Sequence, residues 1–178
     1  MDTIRINSED MSCTAGTLRA GEKVLLSGPV FTARDAAHKR IFAMLDRGEE
    51  PPFPLSGATV YYAGPTPTPP GRPIGSCGPT TSARMDGYTP RLLSLGLKGM
   101  IGKGNRSQAV VDAIRRSGAV YLCAIGGAGA LAAKCVTSLE VIAFEDLGCE
   151  SVKKLIVRDF PLLVAIDCHG GSLFEAPV

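Results

Sequence analysis

The segment from Gly78 to Asp86, GPTTSARMD, gathers three hydroxyls and an arginine behind a glycine and a proline. Its polarity and irregular order suit a binding surface better than a core. A chain that turns from Pro79 into a helix start aims several backbone N–H groups at one point, where Thr80, Thr81 and Ser82 add hydroxyls. Arg84 contributes a planar fork that matches a carboxylate or phosphate. The plain alternative is a helix cap beside a solvated arginine. Lys103, in MIGKGNR, stands between two glycines before a helix start. This resembles half a phosphate loop, but Gly104 and Asn105 come after Lys103 where a hydroxyl residue would complete the G-x-x-x-x-G-K-[ST] pattern. Arg34 and His38, in TARDAAHKR, lie four apart and share a helix face, which otherwise reads as a surface face with a stray histidine. GGAGAL, Gly126 to Leu131, lacks the strand-to-glycine register of a dinucleotide loop and reads as close packing of a small-residue helix.

These candidates share cationic and hydroxyl chemistry suited to a dicarboxylate. None of them supplies a hard chemical step. His38 and His169 are far apart, and no cluster of His, Cys or carboxylates has metal-ligand spacing. The site reads as incomplete.

The elements that must position these residues emerge from periodicity. KVLLSG is a buried strand, and a helix comes next with Thr32 and Asp35 as its capping signal and Ala37, Ile41 and Leu45 at helical spacing. ATVYYAG is the next strand, leading into a long Pro- and Gly-rich loop from Pro65 to Pro79, a length that usually serves function. TPRLLSLGL predicts a short helix and KGMIGKG a short strand. NRSQAVVDAIRRSG predicts a helix capped by Asn105 and ended by Gly118. AVYLCAIG is a strand, GAGALAAKC a small-residue helix, and TSLEVIAFED, VKKLIVRDF and LLVAIDC are three strands close enough to form an antiparallel meander. The sum is an α/β fold, one domain with a mixed β-sheet flanked by helices.

The 178 residues fit one domain, and the formal charge of +2 comes without any long run of like charges. No nucleic-acid footprint is expected. The polar start MDTIRINSED and the lack of an apolar run near membrane-spanning length lead to an expectation of a soluble, cytoplasmic protein with no membrane partner. The six cysteines are scattered singly, so disulfides are not expected. Cys123 and Cys168 read as small core residues, while Cys77, in the approach to GPTTSARMD, reads equally as packing or as a site residue.

SGPVFTARDAAHKR, YYAGPTPTPPGRPIGSCGPTTSARMD, MIGKG, YLCAIGGAGAL and VIAFEDLG occur in this order between about Gly28 and Phe160. Together they resemble the C-terminal domain, or separate β subunit, of class I fumarate hydratases and the related L-tartrate dehydratases, which are iron–sulfur hydro-lyases. The resemblance implies a swivelling β/β/α fold and a division of labour. A larger α part holds a 4Fe–4S cluster on three cysteines, with one iron open to polarise the substrate hydroxyl, and the β part contributes cations and hydroxyls across the interface. It implies that none of this chain's cysteines is a cluster ligand, and that the partner is an α subunit in an α2β2 assembly. It assigns Arg34, Thr80, Arg84 and Lys103 to the substrate site. Thr80 is implied as the base that removes the proton beside a carboxylate, with Arg84 and Lys103 clamping carboxylates and stabilising the alkoxide. Thr81 and Ser82 are implied as supporting substrate-side hydrogen-bond partners, and Asp86 as a local cap or the residue orienting Arg84. The implied reaction is malate to fumarate, with L-tartrate to oxaloacetate as the alternative and a non-catalytic carboxylate-binding domain as the alternative of another class. Lys153 stands where the resemblance leads one to expect an aromatic residue.

Overall fold

The computed structural model describes residues 3–124 and 129–174. Among them, seven strands form one mixed sheet: β1 (Ile4–Asn7), β2 (Lys23–Thr32), β3 (Thr59–Tyr61), β4 (Gly99–Gly102), β5 (Val120–Cys123), β6 (Val136–Ala143) and β7 (Val152–Ile166). β1 to β5 run parallel, each hydrogen-bonded to the next in sequence, while β7 runs antiparallel to β2, β5 and β6. Because β7 pairs with both β2 and β5, the chain of pairings β2–β3–β4–β5–β7 returns to β2. The sheet therefore closes on itself, with β1 and β6 extending it on either side.

The central strands β3, β4 and β5 are buried on both faces, and alternate residues along the strands feed two apolar clusters. Leu26, Tyr61, Ile101, Leu122 and Val164 point to one cluster. Their neighbours Val60, Tyr62, Met100, Tyr121 and Ala165 point to the other, where helices α2 (Asp35–Asp46), α3 (Thr89–Ser94) and α4 (Gln108–Ser117) pack through Ile41, Leu92 and Ile114. Each such aliphatic side chain contributes about 1.5–3 kcal/mol on burial. A four-residue turn, α1 (Met11–Thr14), precedes β2, and α5 (Gly129–Lys134) precedes β6.

Three expectations about element ends require correction. VKKLIVRDF and LLVAIDC are one strand, β7, so the end of the chain is a β6–β7 hairpin and not a three-stranded meander. Asp159, at φ +47°, and Pro161 bend the strand without turning it. Leu26 opposes Phe160 while Gly28 opposes Val157, so β7 carries one extra residue as a bulge. Thr32 does not cap α2. It lies in β2, where its hydroxyl accepts the Lys153 N–H (3.1 Å), and the cap comes from Glu150, whose Oε2 accepts the Ala36 N–H at 2.8 Å. Asn105 does not cap α4 either; Asp86 Oδ2 accepts the Ser107 N–H at 2.6 Å. At the other end Gly118 closes α4 at φ +62°, the left-handed conformation expected of it.

Candidate functional site

The parallel strands β2, β3 and β4 end side by side, and the residues beyond each strand end carry the candidate chemistry. Arg34 comes after β2 as the residue preceding α2. Thr80 returns from the long loop to the end of β3, where its N–H and its hydroxyl both donate to the Tyr62 carbonyl, at 2.8 and 2.9 Å. Lys103 comes directly after β4. Thr81 bridges to Lys103, and Ser82 N–H donates to the Lys103 carbonyl at 3.0 Å. Arg84, on the 3-10 turn Ser82–Met85, reaches back to α2, with Nη2 3.3 Å from Asp35 Oδ2. The fold thus brings all six candidates to one edge, the carboxyl ends of parallel strands where α/β proteins tend to bind ligands.

Their environments differ. Lys103, Thr81 and Arg84 are exposed, whereas Ser82 is wholly buried. Ser82 Oγ accepts the Lys103 N–H (3.1 Å) and meets the Tyr121 hydroxyl (2.9 Å), which also donates to the Gly104 carbonyl (2.8 Å). These bonds fix the Lys103–Gly104 turn from behind, so Ser82 acts on the site through Lys103. Gly102 has to be glycine, since a Cβ there would collide with Ser82 Oγ. Lys103 is left as a cation on an immobilised backbone.

Several contributing residues carried no periodic or motif signal. Arg106, in the same stretch as Lys103, is 5% exposed and ion-paired with Asp86 (Nε to Oδ1, 2.7 Å). Its guanidinium lies over the rings of Tyr62 and Tyr121 and donates to Thr89 Oγ1 at 2.8 Å. Asp86 therefore orients Arg106 and not Arg84. Lys153, 7% exposed, points its Nζ at the carbonyls of Gly148 (3.0 Å) and Cys149 (3.2 Å) and at Ser151 Oγ (2.6 Å), and burial lowers its pKa from the ordinary lysine value.

His38 is fully buried, against the surface placement its pattern allowed. Its ring stacks on Tyr88, and Nδ1 donates to the Arg34 carbonyl at 2.8 Å, while Nε2 has no partner among the described residues. Burial pushes its pKa down from 6.5 to about 4. The folded protein keeps the ring neutral where the unfolded chain takes up a proton, so this contribution is complete above about 6.5 and is lost as pH falls toward 4. The loss amounts to about 3 kcal/mol. Urea midpoints should fall across this window, with a shallower slope in His38→Gln.

Cys77 is buried, and burial pushes its thiol up to about 12. Its N–H donates to the Gly129 carbonyl and its carbonyl accepts from the Tyr61 hydroxyl, which is a packing role. Residues 126–128 of GGAGAL lie outside the described residues. At Gly129 a Cβ would meet Ser76 and Gly78, so this glycine serves close packing. Among the described residues no three His, Cys, Asp or Glu side chains stand together to hold a metal ion. The described residues do not form a ligand set for an iron–sulfur cluster. No helix among them is long and apolar enough to cross a membrane.

The chain is 42% identical over 155 residues to the anaerobic class I fumarate hydratase of Escherichia coli strain K12, covering 86% of this chain and 28% of that protein. It is 42% identical over 157 residues to fumarate hydratase 2 of Leishmania major, covering 87% of this chain and again 28% of the relative. A Methanocaldococcus jannaschii protein, provisionally named an L(+)-tartrate dehydratase β subunit, is 38% identical over 168 residues and is covered over 84% of its length. The chain thus spans little more than a quarter of the fumarate hydratases and most of the subunit. Residues 1–177 match the family model described as Fumarase C-terminus, and the chain belongs to that family.

Proposed function

We propose that this chain is the β-type subunit of a hydro-lyase that reversibly removes water from a 2-hydroxy dicarboxylate, malate to fumarate, beside a separate α subunit holding a 4Fe–4S cluster. The observation that carries the reading is the placement of Arg34, Thr80 and Lys103 on adjoining strand ends, with Arg84 tied to the residue after Arg34. Adjacent strands lie about 4.8 Å apart, so cations after β2 and β4 are separated by about 10 Å at the backbone. Side chains reaching inward from that separation suit the two carboxylates of a four-carbon acid, with a hydroxyl between them. The names of the fumarate hydratase relatives support the reaction class, and the relative of matching length, named as a subunit, supports a separate partner. An α2β2 assembly belongs to the same reading.

In this scheme Arg34, Arg84 and Lys103 bind carboxylates, and Thr80 removes the proton from the carbon beside one of them. A threonine hydroxyl is a weak base. It serves only where cations stabilise the alkoxide and water is excluded. Here the Thr80 hydroxyl donates to the Tyr62 carbonyl, which cannot take its proton, so it must leave that acceptor and lose its own proton to solvent before, as the alkoxide, it takes the substrate's. The exposed positions of Thr81, Arg84 and Lys103 leave the exclusion of water to the partner.

The second reading is L-tartrate to oxaloacetate, favoured by the 84% coverage of the subunit-length relative. Anaerobic co-expression with a cluster-bearing partner, assayed by the ultraviolet absorbance of fumarate formed from malate with L-tartrate in parallel, tests both. Activity is expected only in the pair, with malate the faster substrate. Faster turnover of tartrate selects the second reading. Binding of dicarboxylate without turnover by any pairing makes the chain a non-catalytic carboxylate-binding domain.

A further inference from the structure

Arg34 lies flat against Gly64: a Cβ there would stand 2.6 Å from Nη1 and 3.0 Å from Cδ. Its Nε is buried and has no hydrogen-bond partner among the described residues, and the side chain is 21% exposed. Among the described residues the carboxylate paired with it is that of Glu150, 22% exposed, whose Oε1 stands 3.4 Å from Arg34 Nη2 while Oε2 accepts the Ala36 N–H at 2.8 Å. Glu150 reaches this place from a turn between β6 and β7, 114 residues beyond Ala36. Lys153 holds that turn by donating to the Gly148 and Cys149 carbonyls and to Ser151 Oγ. Ser151 Oγ in turn donates to the Gly148 carbonyl at 2.8 Å. The cation after β2 is thus sandwiched between a glycine that lets it lie down and a carboxylate fixed by other bonds.

We propose that Glu150 is the positioning residue for Arg34: fixed by the Ala36 N–H and by the turn that Lys153 holds, its carboxylate keeps the guanidinium at the strand ends, ready for one substrate carboxylate. This rests on the reading of Arg34 as a carboxylate clamp. A long cationic side chain without such a partner samples many rotamers, and each must be frozen when the ligand arrives. A fixed carboxylate on one side removes that cost and leaves the remaining donors to the ligand. Lys153 then has a role that does not involve touching substrate, which accounts for a lysine at this position.

Glu150→Gln separates the two bonds, since the amide oxygen still accepts the Ala36 N–H while the charge facing Arg34 is gone. In the complex with the partner, KM should rise about tenfold while kcat stays within about threefold and the melting temperature within a few degrees. In an Arg34→Ala background the same change should have no further effect on KM. In the full chain alone, the 15N resonance of Arg34 Nε should shift in Glu150→Gln, and malate titrated against that signal should bind more weakly. An unchanged or lowered KM in a variant with native melting, or an unmoved Arg34 signal, overturns the proposal. If the wild-type complex turns over neither malate nor tartrate, the hydro-lyase reading falls, and the Arg34 signal by itself decides whether Glu150 positions the arginine.

Discussion

Thr80→Val, in the complex with the cluster-bearing partner, is expected to lower kcat by about 10²–10⁴-fold, the range for loss of a positioned proton-transfer group. KM should stay within about tenfold, because the carboxylate clamps Arg34, Arg84 and Lys103 remain. The valine keeps the shape of the side chain and the backbone N–H bond to the Tyr62 carbonyl, and removes only the hydroxyl that donates to the same carbonyl at 2.9 Å. If the hydroxyl serves only that bond, its loss costs about 1 kcal/mol of stability and leaves turnover in place. Thr80→Ser restores a hydroxyl and should return kcat to within about tenfold of wild type. Steady-state kinetics on the three proteins, with melting temperatures measured beside them, separate the roles. Full turnover by Thr80→Val would sink the assignment of the base.

The other large effect is on the fold. Asp86→Ala is expected to cost about 3–5 kcal/mol, since it leaves the Arg106 guanidinium buried without its carboxylate. Within a total stability of about 5–15 kcal/mol, that loss is severe. Asp86 is 13% exposed at its side chain and Arg106 0%, so solvent cannot replace the missing partner. The same substitution removes the oxygen that accepts the Ser107 N–H at the start of α4. Arg106 would still face Thr89 and the rings of Tyr62 and Tyr121, contacts that position a charge without neutralising it. Chemical denaturation at neutral pH measures the loss. The double variant Asp86→Ala with Arg106→Leu should recover part of it, because the unpaired charge is then gone. A single-variant cost below about 1 kcal/mol would show that the pair behaves like a surface ion pair.

Much of this protein was legible in its sequence where the determining interactions are local. The Val110, Val111 and Ile114 face of α4 and the left-handed glycine at its end are set by residues within a few positions of one another. The strands β4 and β5 announce themselves as short apolar runs because both of their faces are buried. The long odd segments around Arg34, Thr80 and Lys103 were sufficient to place the chain among the fumarases' C-terminal parts, which the family match bears out.

What the sequence could not reveal depends on partners distant along the chain. Glu150 caps a helix that begins at Asp35, and Asp86 caps one that begins at Gln108, so the hydroxyl and amide cap signals at Thr32 and Asn105 pointed to the wrong residues. His38 has the spacing of a surface residue and lies in the core because Tyr88 and Tyr62 come to meet it. Ser82 looks like its neighbours Thr80 and Thr81, yet it turns inward to hold Lys103, since the chain alternates direction where it bridges to the end of β4. Asp159 and Pro161 spell a turn in one dimension and a bend in three, because pairing with β2 on either side of the bulge holds the strand together. Composition and spacing determined which elements form and which chemistry they carry. Only the tertiary pairing of β2, β3 and β4, and the return of the long loop to the end of β3, decided which side chains share the edge, because long-range pairing sets the order of strands and no local pattern encodes it.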